Sequence, residues 1–352
     1  MFHGARRRPV GQTPAMTVDD STTDTADLTA ADVAWDIDSI LPPGETPAGL
    51  FDRADEIADS LTGLRGRVAD LDAGELAAAM QTMAELHDLM SRASYHAMLA
   101  FSTATDDPAR GAAMAAAQER STAIGTKLIF FDLEWAAADD DHAATVLADP
   151  RLDFCRHHLD TLRLSRPYLL SEAEETIVAE KSQTGFGAWV RLFDELTSAI
   201  TVDLPDDLGG AGMPLMQGLA MMQHPDRSVR QQLATAVTAG LEPGLRTRAY
   251  VFNTLLHDKA IDDRLRGYPS WVSSRNLANE ASDESVQALV DAVVDSYSIA
   301  QRWYTLKAKV LGLDKLADYD RMASVANADR DIGWAEGTQI VRDAYASFSP
   351  EL

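Results

Sequence analysis

Apolar residues recur every three or four positions over most of this chain, the period of a helix with one buried face. Leu50, Ala54, Ile57, Leu61 and Leu64 step by 4, 3, 4 and 3. Leu76, Met80, Met83, Leu86, Met90, Ala97 and Phe101 carry the same period over a longer span. Asp106-Asp107-Pro108 supplies an N-cap and a first-turn proline for a third helix running towards Trp135. The short connections predict antiparallel neighbours. Ser171-Glu172-Ala173-Glu174 is a capping box that opens a helix to about Lys181. Further helices are expected over Ala188–Ser198, Pro225–Leu241 and Leu245–Ile261. A long one is expected over Asp283–Val310, with Val286, Leu289, Val293, Tyr297 and Ala300 on one face and Gly312 as its stop. A last helix is expected over Trp334–Ser347.

The period changes once. Ile200-Thr-Val-Asp-Leu204 alternates and ends at Pro205, which predicts a strand, with Gly209-Gly210-Ala211-Gly212 as the turn behind it. The expected fold class is therefore all-α, mainly antiparallel helices, with a minor β element near residues 200–204. The change of pattern also divides the chain into a helical domain over 33–199 and a second domain over 200–352. Residues 1–32 are rich in Thr, Asp, Ala and Pro without a hydrophobic period, and are expected to be a disordered acidic tail. Translation from Met16 would make the basic first residues an upstream extension.

Composition narrows the function classes. Of 352 residues, 46% are hydrophobic and 24% charged, which excludes global disorder. The net charge of −24 argues against nucleic acid and anionic membrane as partners, since both need a basic footprint. The single cysteine, Cys155, excludes an internal disulfide and fits a cytoplasmic protein. No apolar run is long enough to cross a membrane, and none follows Arg6-Arg7-Arg8 as an export signal would require.

Candidate chemistry is sparse. No two of the eight histidines are three or four residues apart, and no H-E-x-x-H occurs. Asp153, Cys155, His157 and His158 can be drawn on one helix, but adjacent histidines diverge, and surface or packing roles are favoured. Cys155 reads as a lone buried thiol. Asp206 and Asp207 beside the glycine turn would repel a phosphate. Ala138-Asp139-Asp140-Asp141-His142 reads as a solvated loop, and Met213, Met216, Met221 and Met222 as a packed core face. Arg264-Leu-Arg-Gly-Tyr-Pro-Ser-Trp271 stands out: two arginines, a tyrosine and a tryptophan in one short loop form either a salt-bridge corner or a ligand-facing surface.

Several stretches together carry a resemblance. They are Arg166-Pro-Tyr-Leu-Leu-Ser-Glu-Ala-Glu-Glu175 with Glu180-Lys181, and Gly187-Ala-Trp-Val-Arg-Leu-Phe-Asp-Glu-Leu196. His224-Pro-Asp-Arg-Ser-Val-Arg230, Arg266-Gly-Tyr268 with Arg275-Asn276 and Asn279, and Leu306-Lys-Ala-Lys-Val-Leu-Gly-Leu313 follow. Tyr319-Asp-Arg321 and Ser347-Phe-Ser-Pro-Glu-Leu352 complete the set. From about Trp35 onwards, the chain resembles the oligoendopeptidase F family of zinc metallopeptidases, relatives of thimet oligopeptidase.

That resemblance implies a largely helical protein with a deep channel admitting short peptides. It implies zinc held by an H-E-x-x-H helix and a later Glu, with the motif Glu polarising the zinc-bound water. Those residues lie beyond the end of this sequence. The resemblance therefore implies an N-terminal portion with an incomplete catalytic domain. No catalytic or metal-ligating residue carries over, and this chain alone is expected to bind no zinc and to be inactive. The implied partners are short peptides and the missing C-terminal catalytic half. Tyr268, Trp271, Arg275, Tyr319 and Arg321 are candidates for lining the channel; a structural role is the competing reading for each. The alternative function is a non-catalytic helical protein that binds peptides or another protein after losing the chemistry. Exposed apolar surface is expected more under the first reading than under the second.

Overall fold

The structure, a computed structural model, describes residues 35–325 and 332–349. The expected acidic tail and the alternative start at Met16 lie outside the described residues. Asp36–Val325 forms one compact unit, and the remaining described residues belong to another.

The first unit begins as a helical bundle. Helix α1 (Pro47–Leu61), α2 (Ala73–Ser102) and α3 (Pro108–Ala137) pack on one another, followed by the short α4 (Asp140–Leu147) and α5 (Arg156–Leu164). The stripes predicted for α1 and α2 are the buried ones: Leu50, Ala54 and Leu61 in α1, and Leu76, Met80, Met83, Leu86, Ala97 and Phe101 in α2. Asp107 caps α3, accepting from the N–H groups of Ala109 and Arg110, as its position before Pro108 predicts. Trp135, near the end of α3, is fully buried, and its indole N–H donates to the Leu159 carbonyl at 2.9 Å. This ties α5 to the core.

The acidic run at Ala138–His142 is not a loop. Asp139 caps α4, Asp140 and Asp141 occupy its first turn, and Asp140 pairs with Arg163 and Arg166. Carboxylates at a helix N-terminus meet unsatisfied N–H groups and the positive end of the dipole, which a charge count along the chain does not reveal.

Helix α6 (Glu172–Ser182) opens on the predicted Ser171–Glu174 capping box, and α7 (Phe186–Ser198) follows. The strand shrinks to β1 (Thr201–Val202), antiparallel to β2 (Met213–Pro214). Next come α8 (Leu215–Ala220), α9 (Arg227–Leu241), α10 (Leu245–Arg266) and α11 (Ser273–Ala278). Val202 is buried against Gly218 of α8 and Gly240 of α9. A side chain at Gly240 would meet the Thr201 carbonyl at 2.5 Å, so glycine here permits the close approach of strand and helix. The methionine cluster is not a core face. Met216 is exposed, and Met213, Met221 and Met222 are half-buried, because α8 lasts less than two turns and its contact side is occupied by Gly218.

The long helix expected over Asp283–Val310 is two helices, α12 (Asp283–Asp295) and α13 (Tyr297–Val310), broken at Ser296. The Ser296 hydroxyl donates to the Ala292 carbonyl at 2.7 Å, a side-chain bond that competes with the backbone ladder and bends helices. Gly312 adopts φ 67° and stops α13 as its position predicts. The second unit contains α14 (Trp334–Phe348) among its described residues. Among the described residues no helix is long and apolar enough to cross a membrane.

Candidate functional site

The stretch Arg264–Trp271 is not all loop, since Arg264–Arg266 form the last turn of α10, and it divides between its two readings. Its first half is a salt-bridge corner. Arg266 donates from both terminal nitrogens to Glu175 of α6, at 2.7 and 3.0 Å, and from Nε to Asp262 at 3.0 Å. Glu175 also accepts the Leu170 N–H at 3.0 Å. The Arg266 bonds, working against burial, hold the Glu175 carboxyl below its ordinary range. Gly267 then turns the chain at φ 78°, and the Tyr268 ring stacks on Tyr168 with centroids 4.1 Å apart. Burial pushes the Tyr268 hydroxyl up. Tyr268 is thus part of the structural corner.

The second half faces outward. Tyr268, Ser270 and Trp271 line a cleft of about 630 Å³ together with Leu256, Lys259 and Asp263. Trp271 is 78% exposed at its edge. Behind it, Lys259 donates to Asp263 at 2.6 Å and to Ser274 at 3.0 Å, while Ser274 donates to the other Asp263 oxygen at 3.2 Å. Asn276 of α11 bonds Asp283 at 2.7 Å, and Arg275 of the same helix is exposed. The cleft offers an aromatic face and a polar floor, a combination suited to holding an extended chain by stacking and hydrogen bonds.

Tyr319 and Arg321 belong to a different turn, one on each side of Asp320. Asp320 is fully buried and accepts bonds from Arg227 (3.0–3.1 Å), from Arg230 at 3.0 Å and from the Ala317 N–H at 2.9 Å. Burial alone would raise its pKa; the Arg227, Ala317 and Arg230 bonds prevail and hold the carboxyl below its ordinary value. Arg230 also donates to the carbonyls of Tyr319, His224 and Pro225. The guanidinium of Arg227 lies over the Tyr319 ring, 5.2 Å from its centroid. Lys307 of α13 donates to the Arg321 carbonyl at 2.7 Å. Tyr319 is therefore half-buried in a charged hub, and Arg321 points to solvent from its rim.

The hub was invisible in the sequence because Arg227 and Asp320 are 93 residues apart. The local signals were the charged stretches His224–Arg230 and Tyr319–Arg321, with nothing to join them. The Asp153–His158 group does not form a cluster on one helix. Asp153 precedes α5, Cys155 is buried with its thiol pushed up by desolvation, and His157 pairs with Glu280 at 2.7 Å. Among the described residues no group of three or more His, Cys, Asp or Glu could hold a metal ion, so these residues do not fit a zinc site.

Comparison with known proteins places this fold. A family profile described as Oligopeptidase F matches residues 134–201. Group B oligopeptidase PepB of Streptococcus agalactiae is 26% identical over 214 residues, covering 60% of this chain and 35% of that protein. Oligopeptidase PepF of Bacillus subtilis is 23% identical over 294 residues, covering 82% of this chain and 44% of that protein. The crystal structure of oligoendopeptidase-F from Enterococcus faecium superposes with a TM-score of 0.68 at 20% identity, over 79% of this chain and 56% of that one. The chain thus spans about a third to just under half the length of these curated relatives. Over that shared portion, it is a homologue of the oligopeptidase F peptidases.

Proposed function

We propose that this chain is the N-terminal part of a zinc-dependent oligoendopeptidase that hydrolyses short peptides inside a channel. The observation that carries the reading is the extended likeness to PepF, which takes in 82% of this chain but 44% of PepF. The domain boundary lies near residue 200, and the residues after it open a catalytic domain completed by a C-terminal half. The zinc ligands and the general base belong to that half. Exposed apolar side chains support the reading. Tyr250, Phe252, Leu256 and Leu265 of α10 and Leu289, Val290, Val293 and Val294 of α12 are exposed, and α12 buries no residue at all. A finished monomer seldom leaves so much apolar surface in water.

In this reading the cleft at Tyr268 and Trp271 lies on the channel wall, with Arg275, Tyr319 and Arg321 as further wall residues. Trp271 stacks on substrate, whereas Tyr268 and Tyr319 act through their packed neighbours.

The test has two arms. The isolated chain is expected to contain no stoichiometric zinc and to leave a quenched fluorescent peptide uncut. A one-to-one zinc content with hydrolysis abolished by a chelator would refute its inactivity. In the complete enzyme, Trp271→Ala is expected to raise KM several-fold at unchanged thermal stability. Unchanged kinetics would remove Trp271 from the wall.

A further inference from the structure

The outer face of α13 carries a pattern that its own fold does not use. Ile299, Trp303, Leu306 and Val310 step by 4, 3 and 4 and are each roughly half exposed; Trp303, the largest, is 47% exposed. This spacing places them in one stripe along the helix, the arrangement that packs into a partner helix. The only buried residue of α13 is Lys307, which anchors the helix through the Arg321 carbonyl. Lys307 follows Trp303 by one turn, so the anchoring contact runs along one edge of the stripe and leaves the stripe itself and its other edge open.

Charge gives the face a sign. Residues 296–313 contain Arg302, Lys307 and Lys309 and no acid, in a chain of net charge −24. Arg302 and Lys309 are seven residues apart, so they share one edge of the stripe. Two copies of α13 packed antiparallel would set these cations against each other. A helix with acidic flanks would meet them favourably.

We propose that α13 is a docking helix for a partner polypeptide, and that the partner presents an amphipathic helix with an apolar heptad stripe flanked by Asp and Glu. The inference extends the reading above by giving the chemistry of the partner. Its test uses no peptidase activity, so the two can fail separately.

The probes are two fluorescein-labelled helical peptides of about three heptads, with Leu at the a and d positions and either Glu or Lys at e and g. Fluorescence anisotropy against the whole chain is expected to show the Glu-flanked peptide binding roughly fivefold or more tightly than the Lys-flanked one. Arg302→Glu combined with Lys309→Glu is expected to reverse that preference, which loss of fold would not do. Trp303→Asp is expected to abolish binding of both peptides while the circular dichroism spectrum stays unchanged. Equal affinity for the two peptides would overturn the proposal, as would binding of neither. Self-association in sedimentation velocity that Trp303→Asp converts to monomer would assign the stripe to a second copy instead.

Discussion

Asp320 shows how much one side chain can hold together. Its carboxylate is fully buried and receives Arg227 from one turn of α9 and Arg230 from the next. Asp320→Ala leaves the buried guanidinium of Arg230 without a counter-charge, and is expected to cost about 3–5 kcal/mol in urea unfolding. Arg321→Ala, one residue away and exposed, is expected to change stability by less than about 0.5 kcal/mol. Asp320 and Glu175 also set an acid limit. Both are held below their ordinary values of 3.8 and 4.5. Their contribution is therefore complete above those ordinary values and is lost as pH falls through the lower folded ones. Thermal midpoints are expected to fall as pH drops below about 4, and the double variant Asp320→Asn, Glu175→Gln to show a shallower fall.

At the scale of elements, β1 and α9 approach closely at Gly240. Gly240→Ala places a methyl group 2.5 Å from the Thr201 carbonyl, backbone that has little freedom to move. A loss of about 1–3 kcal/mol is expected, measured by chemical denaturation. Helices were the most legible elements in the sequence, because their period, caps and stops are written locally. Ser171 with Glu174, Asp107 before Pro108, and Gly312 each mark a boundary that the structure keeps. The break at Ser296 was not legible. Apolar residues keep step through Val293 and Tyr297, and the bond from Ser296 to Ala292 leaves no mark on that pattern. The acidic run at Asp139 misled for a related reason: its meaning depends on which N–H groups it caps. At the candidate site, the Arg264–Trp271 stretch could be singled out by composition. Its split into a corner and a cleft depends on Glu175 and Tyr168, about ninety to a hundred residues away.

Over the whole molecule, burial is uneven. The main core cluster lies within residues 50–159, built from α1 to α5 and the turns between them. Beyond Val202, buried apolar residues among the described residues are few: Leu204, Leu233, Val237, Val251 and Ala323. Charged links such as Glu175–Arg266 and Asp320–Arg227 hold much of that region instead. The two regions are therefore expected to respond differently to salt, with the bundle keeping its unfolding midpoint and the second region losing protection of its amides from exchange. Trp135 makes the bundle separately observable. Of the six tryptophans it alone is fully buried, whereas Trp35, Trp271 and Trp334 are largely in water. Its emission belongs at the short-wavelength edge of the fluorescence spectrum, so light collected there reports the melting of α3 against α5, and light collected at the red edge reports the rest.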